Sequence, residues 1–164
     1  MKSTVFWVAV WAAILTAVYL VADRLTAPPP VARVLAGGQQ ELVIAAARNG
    51  HYYIEGAVNG IPITFMVDTG ATYVSVDAAF AARAKLPEGI PGYFNTANGS
   101  VEGRVVKGQT VRVDGFEVQG LSVAVMPARG DDGLLGQNFL RQFEVSQSGG
   151  TMRLRPRIDS REKP

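Results

Sequence analysis

The chain has 164 residues, enough for one compact domain and an appendage. Hydrophobic residues make up 48% and charged residues 18%, a globular balance, and the formal net charge of +2 is too small to argue for a nucleic-acid partner. The absence of cysteine excludes disulfides, thiol catalysis and Cys-ligated metals, and the single His51 cannot build a multi-histidine metal site.

Residues 1–3 form a short N-terminal segment. Thr4 to Ala22 carries no charge and consists mostly of Val, Ala, Ile, Leu and aromatic residues. About 19 helical residues at ~1.5 Å rise span ~28 Å, close to a bilayer core, so 4–22 reads as one transmembrane anchor. Trp7 and Tyr19 sit towards its ends, as interfacial aromatics do. The rivals are a buried helix and a cleaved signal peptide. No polar stripe marks an outer face, and Leu20-Val21-Ala22 lacks a small residue at the first of the three cleavage positions. With Lys2 on one flank and Arg24 and Arg33, offset by Asp23, on the other, the reading puts the folded part on the periplasmic or extracytoplasmic side.

Residues 23–40 read as a linker, stiffened by Ala27-Pro28-Pro29-Pro30 and ending in Gly37-Gly38-Gln39-Gln40. The folded domain is expected over 41–155. Strands are predicted at Leu42 to Ala47, Tyr52 to Val58 and Ile61 to Val67, punctuated by Asn49-Gly50 and Asn59-Gly60. Both residues of such a pair tolerate φ > 0, which makes Asn-Gly a strong hairpin signal. A short helix is predicted over Asp77 to Ala84 with Asp77 or Ser75 as N-cap. A hairpin follows from Gly108 to Val113 through Asp114-Gly115 to Phe116–Val118, then a strand at Leu121 to Met126. Gln137 to Phe143 suits a second short helix, and Val145 to Leu154 a last hairpin around Gly149-Gly150. Residues 156–164 read as a flexible basic tail interrupted by Asp159 and Glu162. The fold class is all-β, with many short strands and one or two short helices.

The run Ile61 to Val67 delivers Asp68-Thr69-Gly70-Ala71. A carboxylate on a tight turn after a buried strand suits acid–base activation of water. Two carboxylates sharing one proton do this best, one accepting a proton from water while the other donates to the carbonyl oxygen. The motif occurs once in the chain, so the second carboxylate would have to come from a second copy.

Met66-Val67-Asp68-Thr69-Gly70-Ala71 followed by Leu134-Leu135-Gly136-Gln137-Asn138-Phe139-Leu140 resembles the retropepsin-like aspartic proteases, closest to the single-domain, membrane-anchored bacterial type. Between them Phe94-Asn95-Thr96-Ala97-Asn98-Gly99-Ser100 resembles the family's flap hairpin. The resemblance covers roughly Tyr52 to Leu154. It implies a closed acid-protease half-barrel and an aspartic endopeptidase active as a homodimer on peptide substrates, with no cofactor and no metal. Asp68 would be catalytic, Thr69 would knit two active-site loops together, and Gly70 and Ala71 would complete the loop. Asn95, Thr96, Ala97, Asn98, Gly99 and Ser100 would form the substrate-binding flap, and Leu134, Leu135 and Gly136 would support the loop from behind.

Two positions depart from the pattern. Many retroviral members pair an acidic residue after Asp-Thr-Gly-Ala with an Arg after the later Gly; here Thr72 and Gln137 occupy those places. Thr151 to Arg155 is a candidate intersubunit strand. Val74, Val76 and Val125 are expected in pocket walls, His51 as an exposed residue, and Asp131-Asp132-Gly133 as a solvated turn. The competing readings are a non-catalytic peptide-binding module and an envelope scaffold domain with the same fold.

Overall fold

A computed structural model describes residues 2–26, 34–36, 41–96, 99–127, 130 and 132–157, in two units comprising residues 1–31 and 32–164. The first unit is one helix, α1 (Lys2–Thr26). Among the described residues no helix is long and apolar enough to cross a membrane. The expected span at 4–22 lies within α1.

The second unit is built from strands. They are β1 (Val34–Ala36), β2 (Leu42–Ala45), β3 (Tyr53–Val58), β4 (Ile61–Val67), β5 (Val74–Asp77), β6 (Ile90–Thr96), β7 (Gly99–Val113), β8 (Phe116–Met126), β9 (Gly133–Leu135), β10 (Phe143–Ser148) and β11 (Thr151–Pro156). Two short helices interrupt them, α2 (Ala78–Arg83) and α3 (Gln137–Leu140). Strands β8, β5, β9, β4, β3 and β7 are neighbours in that order, and β7 pairs back onto β8, which closes a barrel. β1 and β6 add to it at β8 and β7. The mainly β architecture with short helices agrees with the sequence reading.

Local chemistry explains the elements. Asn59 and Gly60 join β3 to β4 with φ of 50° and 83°, the pair of positive values a tight hairpin turn needs. Along β4, Ile63, Phe65 and Val67 are buried while the residues between them are less so, the period-2 signature of a strand with one face on the core. Asp77 caps α2, its Oδ1 accepting from the Phe80 amide at 2.6 Å, which decides between the two predicted caps. Phe65, Phe80, Phe116, Phe139 and Phe143 are fully buried, each contributing about 1.5–3 kcal/mol by leaving water. Phe143 stacks on Phe139 at 5.2 Å and meets Phe116 edge-on at 5.3 Å.

Several boundaries move. Val34–Ala36, inside the expected linker, pairs with Phe116 to Val118 as β1. The two strands predicted within 116–126 are one, β8. α3 is a single turn, and Phe143 already belongs to β10. Of the expected tail at 156–164, Pro156 ends β11 and Arg157 is held by its amide to the Gln142 carbonyl and its Nε to the Phe143 carbonyl, and residues 158–164 lie outside the described residues.

A second sheet has the order β10-β11-β2. This corrects one expectation: β11 has both edges filled by its own chain, so Thr151 to Arg155 cannot serve as an intersubunit strand by pairing at a free edge. Arg153 and Arg155 on β11 both reach Glu41, at 2.6 and 3.0 Å. Their hydrogen bonds hold the Glu41 carboxyl below the usual carboxylate range.

Candidate active site

Asp68 follows directly on β4. β9 lies parallel to β4, with Met66 opposite Leu134 and Val67 opposite Leu135, and the Asp68 amide donates to the Leu135 carbonyl at 3.1 Å. The strand end is therefore fixed before the loop begins. Within the loop the Asp68 Oδ1 accepts from the Gly70 amide at 2.8 Å, and the Ala71 amide donates to the Asp68 carbonyl at 3.2 Å. This side-chain turn orients a half-buried carboxylate while leaving its other oxygen available.

Behind the loop stands Gly136. A Cβ here would lie 2.2 Å from the Tyr73 carbonyl oxygen and 2.9 Å from that of Ala71, so only glycine lets the two backbones approach this closely. The next two residues tie them together. The Gln137 amide donates to the Ala71 carbonyl at 2.8 Å, and its Nε2 donates to the Thr69 carbonyl at 2.8 Å. The Asn138 amide donates to the Thr72 carbonyl at 3.1 Å. Its Oδ1 accepts from the Val74 amide at 2.7 Å, and its Nδ2 donates to the Ser122 carbonyl at 2.6 Å. The neutral side chains at 137 and 138 thus hold the loop without a charge pair.

In front of the loop is a groove of about 630 Å³. Asp68, Gly70 and Ala71 line one side, and Asn95 and Thr96 of β6 another, with Tyr93, Met126 and Leu134 among the other walls. β6 and β7 form the hairpin that carries the expected flap residues, with Asn95 opposite Ser100 and Thr96 opposite Gly99. The Thr96 hydroxyl donates to the Gly99 carbonyl at 2.9 Å. Ala97 and Asn98, expected at the tip, lie outside the described residues.

The structure therefore brings Asp68, Gly70, Ala71, Asn95, Thr96 and Leu134 together. Thr69 is exposed and its hydroxyl makes no hydrogen bond with a described residue of the chain. Leu135 and Gly136 are buried behind the loop, and Gly99 and Ser100 do not line the groove. Val74 and Val125 turn into the core instead of the groove walls. The register sets Ser75 beside Ala124, and these, one residue along from the valines, face the groove. The anchoring role of Asn138 was missed; an amide side chain in the first turn after Leu134-Leu135-Gly136 was its signal.

A family model for gag-polyprotein aspartyl proteases matches residues 54–142. An uncharacterised protein encoded in the region 5′ of cobV in Sinorhizobium is 31% identical over 118 residues, covering 67% of this chain and 49% of that protein. An uncharacterised protein of Rickettsia prowazekii is 32% identical over 107 residues, covering 63% of this chain and 46% of that protein. The chain spans about half the length of these curated relatives. Among solved structures, a retropepsin-like aspartic protease from Rickettsia conorii matches with a TM-score of 0.54 at 25% identity, over 75% of this chain and 91% of that one.

Proposed function

The chain belongs to the gag-polyprotein aspartyl protease family, with a retropepsin-like aspartic peptidase domain, and on that premise we propose that it hydrolyses peptide bonds with Asp68 as its acid–base group. The observation that carries this reading is the Asp68 carboxylate, held by the Gly70 amide and facing a groove flanked by the β6–β7 hairpin. Water is a poor nucleophile towards an amide carbonyl. A fixed carboxylate accepts its proton as it attacks, and a second, protonated carboxyl donates to the carbonyl oxygen. Asp-Thr-Gly occurs once per chain, so the working site is a homodimer with Asp68 from each copy. The exposed Thr69 hydroxyl is available to the partner loop. The hairpin carrying Asn95, Thr96, Gly99 and Ser100 covers an extended peptide and excludes water.

In this reading the uncharged run Thr4 to Ala22 anchors the protein, with residues 41–155 as the protease domain on the periplasmic or extracytoplasmic side. Support comes from the sequence: the length of the run and the flanking charges. Retention in the membrane fraction after an alkaline carbonate wash tests the anchor, and release into the supernatant would remove it.

Cleavage of a peptide library by the full-length protein, beside Asp68→Asn, tests the catalytic assignment. The variant should fold and cleave nothing; retained cleavage would sink the assignment. Mixing tests the dyad. Co-refolded wild type and Asp68→Asn at equal amounts should keep about a quarter of the activity, as random pairing into dimers requires, whereas retention of about half would mean each copy works by itself.

A further inference from the structure

Beside the Asp68 groove lies a second cavity of about 190 Å³, lined by Met66, Ser75, Val76, Asp77, Asp132 and Leu134. Ser75 and Leu134 also line the groove, so these two side chains form a wall common to both spaces. One water needs only about 10–15 Å³ on this measure, so the cavity has room for a long side chain.

Its chemistry is divided. Met66, Val76 and Leu134 supply an apolar sleeve, whereas Asp77 and Asp132 bring two carboxylates. Ion pairs among the described residues join Arg153 and Arg155 to Glu41, and among these residues neither Asp77 nor Asp132 has a cationic partner. Asp77 spends Oδ1 on the Phe80 amide, which leaves Oδ2. A separate observation concerns Ser75. It is only 6% exposed, yet its hydroxyl has no hydrogen-bond partner among the described residues and borders both cavities. The hydroxyl is not sealed from solvent, since among the described residues the fully buried side-chain polar atom without a partner is Arg104 Nε; a ligand group entering the cavity would take the place of water on Ser75.

We infer that this cavity is a specificity subsite for a basic residue, lysine or arginine, of the peptide in the Asp68 groove. The aliphatic stem lies along Met66, Val76 and Leu134, and the cationic head meets Asp132, the free oxygen of Asp77 and the Ser75 hydroxyl. A neutral apolar side chain would strip water from the same carboxylates and return nothing, and an acidic one would be repelled. Two carboxylates are too few for a divalent cation, which takes six or more oxygens or keeps several waters; among the described residues no group of three or more metal-binding side chains occurs. The inference rests on the reading of the Asp68 groove as a peptide site.

The test uses the full-length chain carrying Asp68→Asn, which binds without turnover, and peptides in which each position in turn holds lysine or its neutral isostere norleucine. At one position lysine should bind about tenfold more tightly by calorimetry, the lower end expected for a charge-assisted contact because Asp132 is exposed. Adding Asp132→Asn should erase that ratio, and Ser75→Ala should reduce it. A thermal midpoint of each variant matched to its parent keeps misfolding from mimicking the loss. Equal binding of the two peptides at every position, or a lysine preference that survives Asp132→Asn, would overturn the subsite. Cleavage by the otherwise wild-type protein is read separately. If no peptide is cleaved but the Asp132-dependent lysine preference persists, the protease reading fails and the subsite stands. If cleavage depends on Asp68 but lysine and norleucine peptides are bound alike, the reverse holds.

Discussion

Gln137 Nε2 donates to the Thr69 carbonyl oxygen at 2.8 Å, joining residues 68 positions apart in the chain. The contact is made by a neutral amide, without a charge pair. Its loss should be modest for stability and larger for turnover. Gln137→Ala removes one exposed hydrogen bond, about 0.5–1.5 kcal/mol, while freeing the loop that orients Asp68. Gln137→Glu should be worse, because an acceptor would then face the Thr69 carbonyl. Urea unfolding beside kcat for each variant checks this order; equal kcat in all three proteins would mean the loop holds itself.

Asn138 bridges further. Replacement by Ala leaves the Val74 amide and the Ser122 carbonyl without their partner in a partly buried position. The expected loss is about 2–4 kcal/mol, one to two for each group. A shift of the urea midpoint at unchanged slope would measure it, and a loss below about 0.5 kcal/mol would show that water replaces both bonds.

Gly136→Ala should be more damaging than either. The added methyl would enter the space of the Tyr73 carbonyl, at 2.2 Å. Backbone cannot rotate away as a side chain can, so the cost should reach at least about 3 kcal/mol. Recovery of a stable, fully active Gly136→Ala protein would mean that the loop and α3 separate without penalty.

Gly99 behaves differently. It has φ of 107° at the start of β7, and a Cβ there would meet nothing within 4 Å. Gly99→Ala therefore strains one hairpin while its added methyl meets no described atom. Turnover should fall further than stability does, because the strain sits in the hairpin proposed to cover the substrate. Proportional losses of kcat and unfolding free energy would reduce the hairpin to a structural turn.

Acid sensitivity follows from Glu41. Its folded-state pKa is lowered by Arg153 and Arg155, so the unfolded chain takes up its proton first as pH falls. The contribution is present above the ordinary glutamate range and is lost as pH drops through that range, from about pH 5 downwards. Glu41→Gln should flatten the fall in thermal midpoint between neutral pH and about pH 3. An identical acid limb in both proteins would assign it to other carboxylates.

The Asp68 loop and the Leu134-Leu135-Gly136 segment were legible because each is a local pattern of apolar run and turn. β5 was not. Val74, Ser75 and Val76 are all buried between β8 and β9, so the alternation that marks a strand is missing. The length of β7 was hidden for a related reason: Gly103 and Gly108 interrupt it, and its register on β8 shifts between Val106 and Val111. Which face a pleat presents depends on partners far along the chain. That is why Val74 and Val125 were expected in the groove while Ser75 and Ala124 occupy it. Asn138 shows the same limit, since its partner Val74 is 64 residues away.

The antiparallel pairing of β2 with β11 sets Leu42 opposite Leu154. The first and last strands of the three-stranded sheet are thus neighbours, and Glu41 touches Arg155. A circular permutant follows directly: a short bridge across this corner, with new ends cut at the exposed Asn49-Gly50 turn, would omit β1 but keep the pairings of β2 to β11 while changing the order in which those strands are synthesised.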